Sequence, residues 1–206
     1  MRDGRGVLVA DGLGVSRGGR PLIHGLSFAL EAGQAALIVG PNGSGKTSLL
    51  RVLAGLSPPA TGTVRWGETE VRRLAPEQRA DISYRGHLDG LKKDLTVREN
   101  IEFHRSLSGG TEPLDGLLST LELSEVANQR LRFLSVGQRR RAGLATLKAG
   151  TARLWLLDEP MANLDIDGRK LVARWIEEHL GAGGLAAIAT HQPDELAAGG
   201  ALSIEL

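Results

Sequence analysis

The stretch GPNGSGKT at residues 40–47 constrains the fold of this chain more than any other feature. It matches the pattern G-x-x-x-x-G-K-[ST], which carries functional meaning between a strand and a helix. The apolar run QAALIVG (34–40) predicts a buried strand before it, and TSLLRVLAGL (47–56) predicts a helix after it. The sequence therefore predicts a phosphate-binding loop here and not a chance glycine-rich turn.

The residues of this loop supply the groups that a nucleoside triphosphate needs. Gly40, Gly43 and Gly45 let backbone N–H groups turn inward around phosphate oxygens. Lys46 can reach the β- and γ-phosphates, and the Thr47 hydroxyl can bind Mg²⁺. The first turn of the following helix adds a partial positive charge. These residues predict a nucleotide bound together with Mg²⁺.

Strand patterns and helix patterns alternate along most of the chain. GLSFAL (25–30) and GTVRWG (62–67) predict short strands, while RLWLLD (153–158) and LAAIAT (185–190) predict buried ones. A helix pattern at about 167–180 separates the last two. This alternation predicts an α/β fold with a mostly parallel sheet covered by helices.

One long interval lacks strand patterns. Between about residues 87 and 150, TVRENIEFHRSL (96–107) and EPLDGLLSTLEL (112–123) have the spacing of helices. We therefore predict a single domain, in which residues 1–86 and 151–206 form the α/β core and residues 87–150 form an α-helical insertion.

Composition excludes several classes of function. The 206 residues suit one domain, and the net charge of +1 gives no strong attraction to nucleic acid or anionic lipid. The absence of cysteine excludes disulfides, zinc–thiolate sites and iron–sulfur clusters. No run of about 18 apolar residues could span a membrane, and MRDGRGVLVADG at the N-terminus lacks the apolar centre of a signal peptide. We expect a protein of the cytoplasm that does not bind nucleic acid.

Two carboxylates follow the apolar strand RLWLLDEP (153–160). Asp158 is placed to hold Mg²⁺ through water, and Glu159 is placed to polarise a water for in-line attack on the γ-phosphate. Solvated acids at the end of a strand are the alternative, and they are common. The phosphate-binding loop earlier in the chain favours the functional interpretation.

The stretch FLSVGQRRRAGLA (133–145) predicts a second anion site. Ser135 and Gly137 precede a helix, so a hydroxyl, a glycine N–H and a helix N-terminus come together. With one nucleotide motif in the chain, this second site suits a partner's nucleotide. The arginines at 139–141 point about 100° apart on a helix, which favours solvated or domain-bridging side chains over a nucleic-acid patch.

With these motifs the chain resembles the nucleotide-binding subunits of ABC transporters over nearly its whole length. GPNGSGKT is similar to Walker A, LSVGQ to the LSGGQ signature, and LWLLDE to Walker B. ANLD (162–165) is similar to the D-loop, and His191 after IAT to the H-loop. The resemblance implies a P-loop NTPase of the ABC ATPase type, with a mostly parallel sheet, an antiparallel β subdomain and an α-helical insertion.

The resemblance also implies roles for particular residues. ATP would be bound by Gly40, Pro41, Asn42, Gly43, Ser44, Gly45, Lys46, Thr47 and Ser48, and Mg²⁺ by Thr47 and Asp158. Glu159 would act as the base, and His191 would contact the γ-phosphate. The signature residues Ser135, Gly137 and Gln138 would contact ATP held by a second copy in a head-to-tail dimer. Membrane-spanning subunits would be further partners.

Three positions depart from the family pattern. Val136 replaces a glycine of the signature and is small enough to leave the contacts of Ser135 and Gly137 possible. Arg17 stands where an aromatic residue usually stacks on adenine, and it either stacks through its guanidinium plane or is simply exposed. His87 aligns with the Q-loop glutamine, which contacts Mg²⁺ or the attacking water and couples the insertion to the core.

The stretch GHLDGLKKDLTVRENIEFH (86–104) resembles one subfamily in particular, the ATP-binding proteins of cytochrome c biogenesis (CcmA). It shares their pattern G-H-x-x-G-x-K-x-x-L-T-x-x-E-N. The resemblance implies a peripheral protein on the cytoplasmic face of the inner membrane, with polytopic partners similar to CcmB and CcmC. ATP hydrolysis would then support haem delivery or release of the haem chaperone.

Other interpretations remain open from the residues alone. The chain could serve another small-substrate ABC transporter, act as a soluble ABC ATPase on DNA or in translation, or bind ATP as a sensor without hydrolysis. Lys92 and Lys93 could contact a partner or lie on a solvated surface. A metal-ligand role for His87 is not favoured, because no second ligand lies nearby in the sequence.

Overall fold

Strands and helices alternate in the computed structural model, which describes residues 7–86, 90–111, 113–191 and 201–206. The strands in these ranges are β1 (Leu8–Arg17), β2 (Arg20–Leu30), β3 (Ala35–Val39), β4 (Thr61–Trp66), β5 (Thr69–Glu70), β6 (Ile82–Arg85), β7 (Leu154–Asp158), β8 (Leu185–Thr190) and β9 (Leu202–Glu205). The α-helices are α1 (Lys46–Leu53), α2 (Pro76–Arg79), α3 (Val97–Ser108), α4 (Leu114–Thr120), α5 (Val136–Lys148) and α6 (Ile166–Gly181).

A parallel sheet with the strand order β6-β7-β8-β3-β9 forms the centre of the fold. Every residue of β7 and β8 is buried, as expected for apolar parallel strands that are covered on both faces. One apolar cluster joins this sheet to α3, α4, α5 and α6, and another joins it to α1 and the second sheet. The predicted α/β fold with a mostly parallel sheet is therefore confirmed.

The second sheet is antiparallel and has the order β2-β1-β4-β5. β1 and β2 form a hairpin whose turn residues, Gly18 and Gly19, have φ angles of 58° and 78°. Two consecutive positive φ values match the twist of the strands in a two-residue hairpin and favour glycine. The hairpin places Arg17 directly opposite Arg20. An antiparallel β subdomain therefore accompanies the parallel sheet, as the family resemblance implies.

The helices α3, α4 and α5 lie between β6 and β7 in the sequence. Thr96 caps α3 by accepting a hydrogen bond from the N–H of Glu99, whose carboxylate accepts one from the N–H of Thr96. Gly109, with φ of 68°, ends the helix. The predicted boundaries of the core (1–86 and 151–206) and of the insertion (87–150) stay a prediction.

Several element boundaries differ from the sequence prediction. The strand predicted at 25–30 is the second half of β2, because the first half lacks a clear alternation. The helix predicted at 47–56 ends at Leu53, since Gly55 turns the chain with φ of 69°. The sequence patterns did not predict β1, whose register shifts interrupt its alternation, or the four-residue strands β6 and β9. Within the described ranges, no helix is long and apolar enough to cross a membrane.

Candidate nucleotide-binding site

The candidate site lies at the carboxyl edge of the parallel sheet. The strands β3, β8 and β7 are neighbours, and each leads into one part of the site. The phosphate-binding loop (40–47) follows β3, Glu159 follows β7, and His191 follows β8. Because parallel strands end at the same edge of a sheet, segments that are far apart in sequence meet here.

The loop 40–47 depends on backbone conformations that glycine permits. Gly43 and Gly45 have φ angles of 87° and 113°, and Gly45 immediately precedes α1. At position 40, a Cβ atom would lie 2.6 Å from the carbonyl oxygen of Leu206 and 2.8 Å from the Ser44 hydroxyl. No side chain caps the N-terminus of α1. The N–H groups of its first turn therefore remain available to an anion.

Two polar side chains of the loop suit a phosphate ligand. Lys46 is buried, and its ammonium donates hydrogen bonds of 2.6 Å and 3.1 Å to the carbonyls of Gly40 and Pro41. The buried hydroxyl of Ser44 has no hydrogen-bond partner among the residues that the structure describes. This hydroxyl lies inside the loop, where a Cβ atom at position 40 would come within 2.8 Å of it.

Thr47 and Asp158 meet across 111 positions of sequence. The Thr47 hydroxyl, in the first turn of α1, donates a 2.7 Å hydrogen bond to the carboxylate of Asp158, at the end of β7. Asp158 is only 3% exposed. A hydroxyl and a carboxylate are hard oxygen ligands of the kind that Mg²⁺ binds, so this pair fits the predicted metal role.

Glu159 and His191 form a second polar pair at the same edge. The Nδ1 atom of His191 lies 2.9 Å from Oε2 of Glu159. Glu159 has φ of 50°, a left-handed conformation that is uncommon outside glycine. Its N–H donates to the carbonyl of Ala189, which fixes the strand end to β8. Backbone strain of this kind is concentrated at functional sites.

One cavity of about 490 Å³, a volume in the range of small-molecule sites, lies beside the loop, and the predicted Gly40, Pro41 and Ser44 do not line it. The contributing loop and helix residues are Asn42, Gly43, Gly45, Lys46, Thr47 and Ser48. Asp158, Glu159 and His191 line the same cavity, and so do Arg17 and Arg20 from the β1–β2 hairpin. The predicted Arg17 therefore borders the cavity, whereas Arg20 is a lining residue that the sequence analysis missed.

The signature residues lie away from this cavity. Ser135 caps α5: its hydroxyl accepts a 3.1 Å hydrogen bond from the N–H of Gln138, and its own N–H donates to the Gln138 side chain. Ser135 is exposed and Gly137 is half-buried, and neither they nor Gln138 lines the cavity formed by the described residues. The exposed side chains of Phe133 and Val136 flank them.

The three arginines that follow the signature point in different directions. Arg139 donates to the carbonyl of Leu134, whereas Arg141 forms ion pairs with Glu122, which follows α4, and with Asp165, which caps α6. These contacts agree with the domain-bridging interpretation, which stays a prediction together with the domain boundaries. The solvated interpretation is wrong for Arg140, which is buried and donates to the backbone carbonyls of Asp158 and Glu159.

Hydrogen bonds and ion pairs shift the pKa values of Arg141 and of Asp165, the last residue of the D-loop (162–165). Hydrogen bonding to Glu122 raises the pKa of Arg141. The N–H of Gly168 and the guanidinium of Arg141 lower the pKa of Asp165, which caps α6. His87, by contrast, lies outside the described residues, and its assigned role stays a prediction.

The comparisons with known proteins agree with this geometry. The ABC transporter family model matches residues 23–162. A cytochrome c biogenesis ATP-binding export protein CcmA from Cupriavidus pinatubonensis is 43% identical over 189 residues, which cover 90% of this chain and 84% of the relative. The CcmA protein from Paracoccus denitrificans is 44% identical over 185 residues, which cover 90% of this chain and 82% of the relative.

A solved structure supports the fold independently. An ABC transporter ATP-binding protein from Pyrococcus furiosus superposes with a TM-score of 0.81 over 97% of both chains, at 24% sequence identity. At this identity the likeness establishes the fold alone. The match of the family model and the identity to the curated relatives establish more: the chain belongs to the ABC transporter family, as an ATP-binding, ATP-hydrolysing subunit of the group that includes CcmA.

Proposed function

We propose that this chain is the ATPase subunit of an ABC transporter complex for cytochrome c biogenesis, in which ATP hydrolysis supports haem delivery or release of the haem chaperone. The observation that carries the enzymatic part is the meeting of Thr47, Asp158, Glu159 and His191 around one cavity beside the phosphate-binding loop. The cellular part is supported by relatives above 40% identity that are named cytochrome c biogenesis ATP-binding export proteins.

The loop and the start of α1 would bind the triphosphate. Lys46 would exchange its bonds to the loop carbonyls for the β- and γ-phosphate oxygens. The open N–H groups at the start of α1 would face the same phosphates. Asn42 and Ser48 border the cavity and would contact the nucleotide.

Thr47 and Asp158 would hold Mg²⁺, the first directly and the second through water. A Mg²⁺ ion held there would supply positive charge against the negative charge that develops on the phosphates. The Thr47 hydroxyl and the Asp158 carboxylate lie 2.7 Å apart, and both residues line the cavity together with Lys46.

Glu159 would accept the proton of the attacking water. The Nδ1 atom of His191 lies 2.9 Å from its carboxylate, so the second ring nitrogen is directed away from Glu159 and would contact the γ-phosphate. His87 would join this group from the junction with the helical insertion. Geometry of this kind orients the water before attack, which is the main contribution a protein makes to phosphoryl transfer.

Two copies would assemble head to tail. The surface around Ser135, Gly137 and Gln138 is exposed and lies outside the cavity of its own chain. In the assembly it would cover the nucleotide held by the second copy. The exposed apolar side chains of Phe133 and Val136 would be buried in the same contact.

The complex would be completed by polytopic membrane subunits similar to CcmB and CcmC. The chain would then act at the cytoplasmic face of the inner membrane as a peripheral subunit, divided into a core (1–86 and 151–206) and a helical insertion (87–150). Nucleic acid is not a proposed partner, which agrees with the net charge of +1.

A Glu159→Gln variant tests the enzymatic proposal. We expect ATP binding to persist while hydrolysis falls by about 10²-fold or more, because an amide cannot accept the proton. Binding would be measured with a fluorescent ATP analogue, and hydrolysis by phosphate release. Equal turnover in the variant and the wild type would refute the role of Glu159.

A complementation experiment tests the cellular proposal. Cells that lack this gene would receive either the wild-type gene or a Lys46→Ala variant, and covalently bound haem in c-type cytochromes would be stained. We expect only the wild type to restore staining. If cells without the gene mature cytochrome c normally while the purified protein hydrolyses ATP, the cellular proposal is wrong. The chain would then be an ABC ATPase that serves another transporter.

A further inference from the structure

Arg140 joins the signature helix to the catalytic carboxylates of the same chain. It is the fifth residue after Ser135, so about 7.5 Å of α5 separates the two along the helix axis. Its side chain is 8% exposed and turns into the core, where Nη2 lies 2.6 Å from the carbonyl oxygen of Glu159 and 3.3 Å from that of Asp158. Charged donors shorten and strengthen hydrogen bonds of this type.

The carbonyl that Arg140 contacts belongs to a residue with a strained backbone. Glu159 has φ of 50°, and its peptide groups are held on both sides. Its N–H donates to the carbonyl of Ala189 at the end of β8, and its C=O accepts from Arg140. Because a left-handed conformation persists in a non-glycine residue only when its surroundings enforce it, both contacts bear on the direction of the Glu159 side chain.

We infer that Arg140 is a positioning residue for ATP hydrolysis. It holds the backbone of Glu159 so that the carboxylate meets His191 at 2.9 Å and points into the nucleotide cavity. Arg140 contacts the backbone and not the nucleotide site itself, so it acts through Glu159. The inference rests on the proposed role of Glu159 as the base.

The position of Arg140 on α5 gives this contact a second consequence. Ser135 and Gln138 start the same helix and face outward, toward the proposed second copy. The helix α5 therefore carries Ser135, which would contact the partner's nucleotide, at its start. About a turn and a half later it carries Arg140, which positions Glu159, the proposed general base of the same chain. Displacement of the helix start by a partner would shift the backbone of Glu159.

The test compares substitutions of Arg140 in the full-length protein. Arg140→Met preserves much of the side-chain volume but removes the donor and the charge, Arg140→Gln keeps one neutral donor, and Arg140→Lys keeps a charged donor. Lys148→Met is the matched control, since it removes a cation from the other end of α5, where Lys148 pairs with Glu178. Each protein is assayed at least about 15 °C below its own melting temperature.

We expect kcat to fall by about 10- to 100-fold in Arg140→Met, because displacements of about 1 Å at a catalytic group have effects of this size. The KM for ATP should stay within about 3-fold, since ATP binding does not use Arg140. Arg140→Lys should recover part of kcat, Arg140→Gln less, and Lys148→Met should behave as the wild type.

The possible results separate two failures. If wild-type protein hydrolyses ATP and Arg140→Met does so with unchanged kcat, the positioning role is wrong. It is also wrong if kcat follows melting temperature alone across the variants, without recovery in Arg140→Lys. If Arg140→Met does not fold, kcat is compared between Arg140→Lys and Arg140→Gln. A higher kcat in Arg140→Lys supports the positioning role, and equal values contradict it. If Glu159→Gln hydrolyses ATP normally, the proposed role of Glu159 fails first.

Discussion

The starts of α1 and α5 both carry a glycine-rich motif, but they are built in opposite ways. Gly45 precedes α1 in a left-handed conformation, and no side chain occupies the N–H groups of the first turn. Ser135 precedes α5 in an extended conformation, and the Gln138 side chain completes a reciprocal cap. One helix start is left open for a ligand, while the other is already satisfied within its own chain.

This difference indicates how each start can contact a phosphate. At α1 the phosphate itself would cap the helix, so binding and local structure are linked. At α5 the Ser135 oxygen accepts from the Gln138 N–H, which leaves its hydroxyl hydrogen free to donate outward without loss of the cap. The cap of α5 is therefore complete within its own chain, whereas the N–H groups at the start of α1 have no side-chain cap.

The matched glycines of the two motifs give the sharpest test and the largest expected effect. Gly45 has φ of 113°, and a Cβ atom there would lie 3.2 Å from the Leu22 side chain. At Gly137 the nearest neighbour of a Cβ atom would be the carbonyl oxygen of Asn163, at 3.9 Å. We expect Gly45→Ala to weaken ATP binding by 10²-fold or more and to cost about 1–3 kcal/mol of unfolding free energy. Titration with ATP and chemical denaturation would measure both.

Gly137→Ala serves as the counterpart of that substitution. Alanine favours a helix over glycine by about 0.5–1 kcal/mol, so the unfolding free energy should stay equal or rise. ATP binding by the single chain should not change, because Gly137 does not line its cavity. Equal loss of ATP binding in the two variants would break the contrast between the helix starts.

Removal of the Ser135 hydroxyl should have the next largest effect. We expect Ser135→Ala to cost about 1 kcal/mol through the lost cap. It should also reduce ATP hydrolysis at dimer-forming concentrations by about 10-fold, since a donor to the partner's nucleotide disappears. ATP affinity of the single chain should be unchanged.

Thr96→Ala controls for the stability change. Thr96 caps α3 with the same reciprocal arrangement, through Glu99, but does not border the cavity. It should lose about the same unfolding free energy with wild-type hydrolysis. If both variants lose hydrolysis in proportion to stability, Ser135 is a helix cap and nothing more.

The β1–β2 hairpin brings two cations beside the loop 40–47. Arg17 and Arg20 lie opposite each other in the hairpin, although like charges in directly opposed positions are unfavourable. They line the cavity, and no Phe, Trp or Tyr does so among the described residues. A stacking guanidinium is worth about 0.5–1 kcal/mol at an exposed site, which corresponds to a 2- to 5-fold change in affinity.

Arg17→Ala should therefore weaken ATP binding by a few-fold, and Arg17→Tyr should restore it. The comparison of ATP with inorganic triphosphate separates a contact with the base from a contact with the phosphates. A loss that is the same for both ligands would contradict stacking, and no loss for either would mean that Arg17 is simply exposed.

The motif residues of the core could be predicted because their geometry follows from chain-local rules. A strand followed by G-x-x-x-x-G-K-T fixes where the loop lies, and parallel strands bring Asp158 and His191 to the same edge. Arg140 could not be found in this way. Its direction depends on how α5 packs against the end of β7, and three consecutive arginines have no periodicity that distinguishes one buried member. Arg20 was missed because the hairpin that places it was not predicted.

The start of α6 differs from those of α1 and α5 because its cap carries a charge that depends on pH. Asp165 caps α6 with a carboxylate, and the N–H of Gly168 and the guanidinium of Arg141 lower its pKa. A carboxylate with a lowered pKa in the folded state stabilises the fold at pH values above its unfolded pKa of about 3.9, and this contribution is lost as the pH falls through the folded value. The hydroxyl cap of α5 does not titrate in this range.

We therefore expect the unfolding free energy of the wild type to fall between about pH 5 and pH 3 more steeply than that of Asp165→Asn, which keeps a capping oxygen without the charge. Ser135→Ala should show the wild-type slope, because its cap carries no charge. Urea denaturation at several pH values would measure the slopes. The effect should be the smallest of those considered, because Asp165 is exposed and solvent screens its ion pair with Arg141. If the unfolding free energies of the wild type and Asp165→Asn change with pH in parallel, the charge of Asp165 does not contribute to the cap of α6.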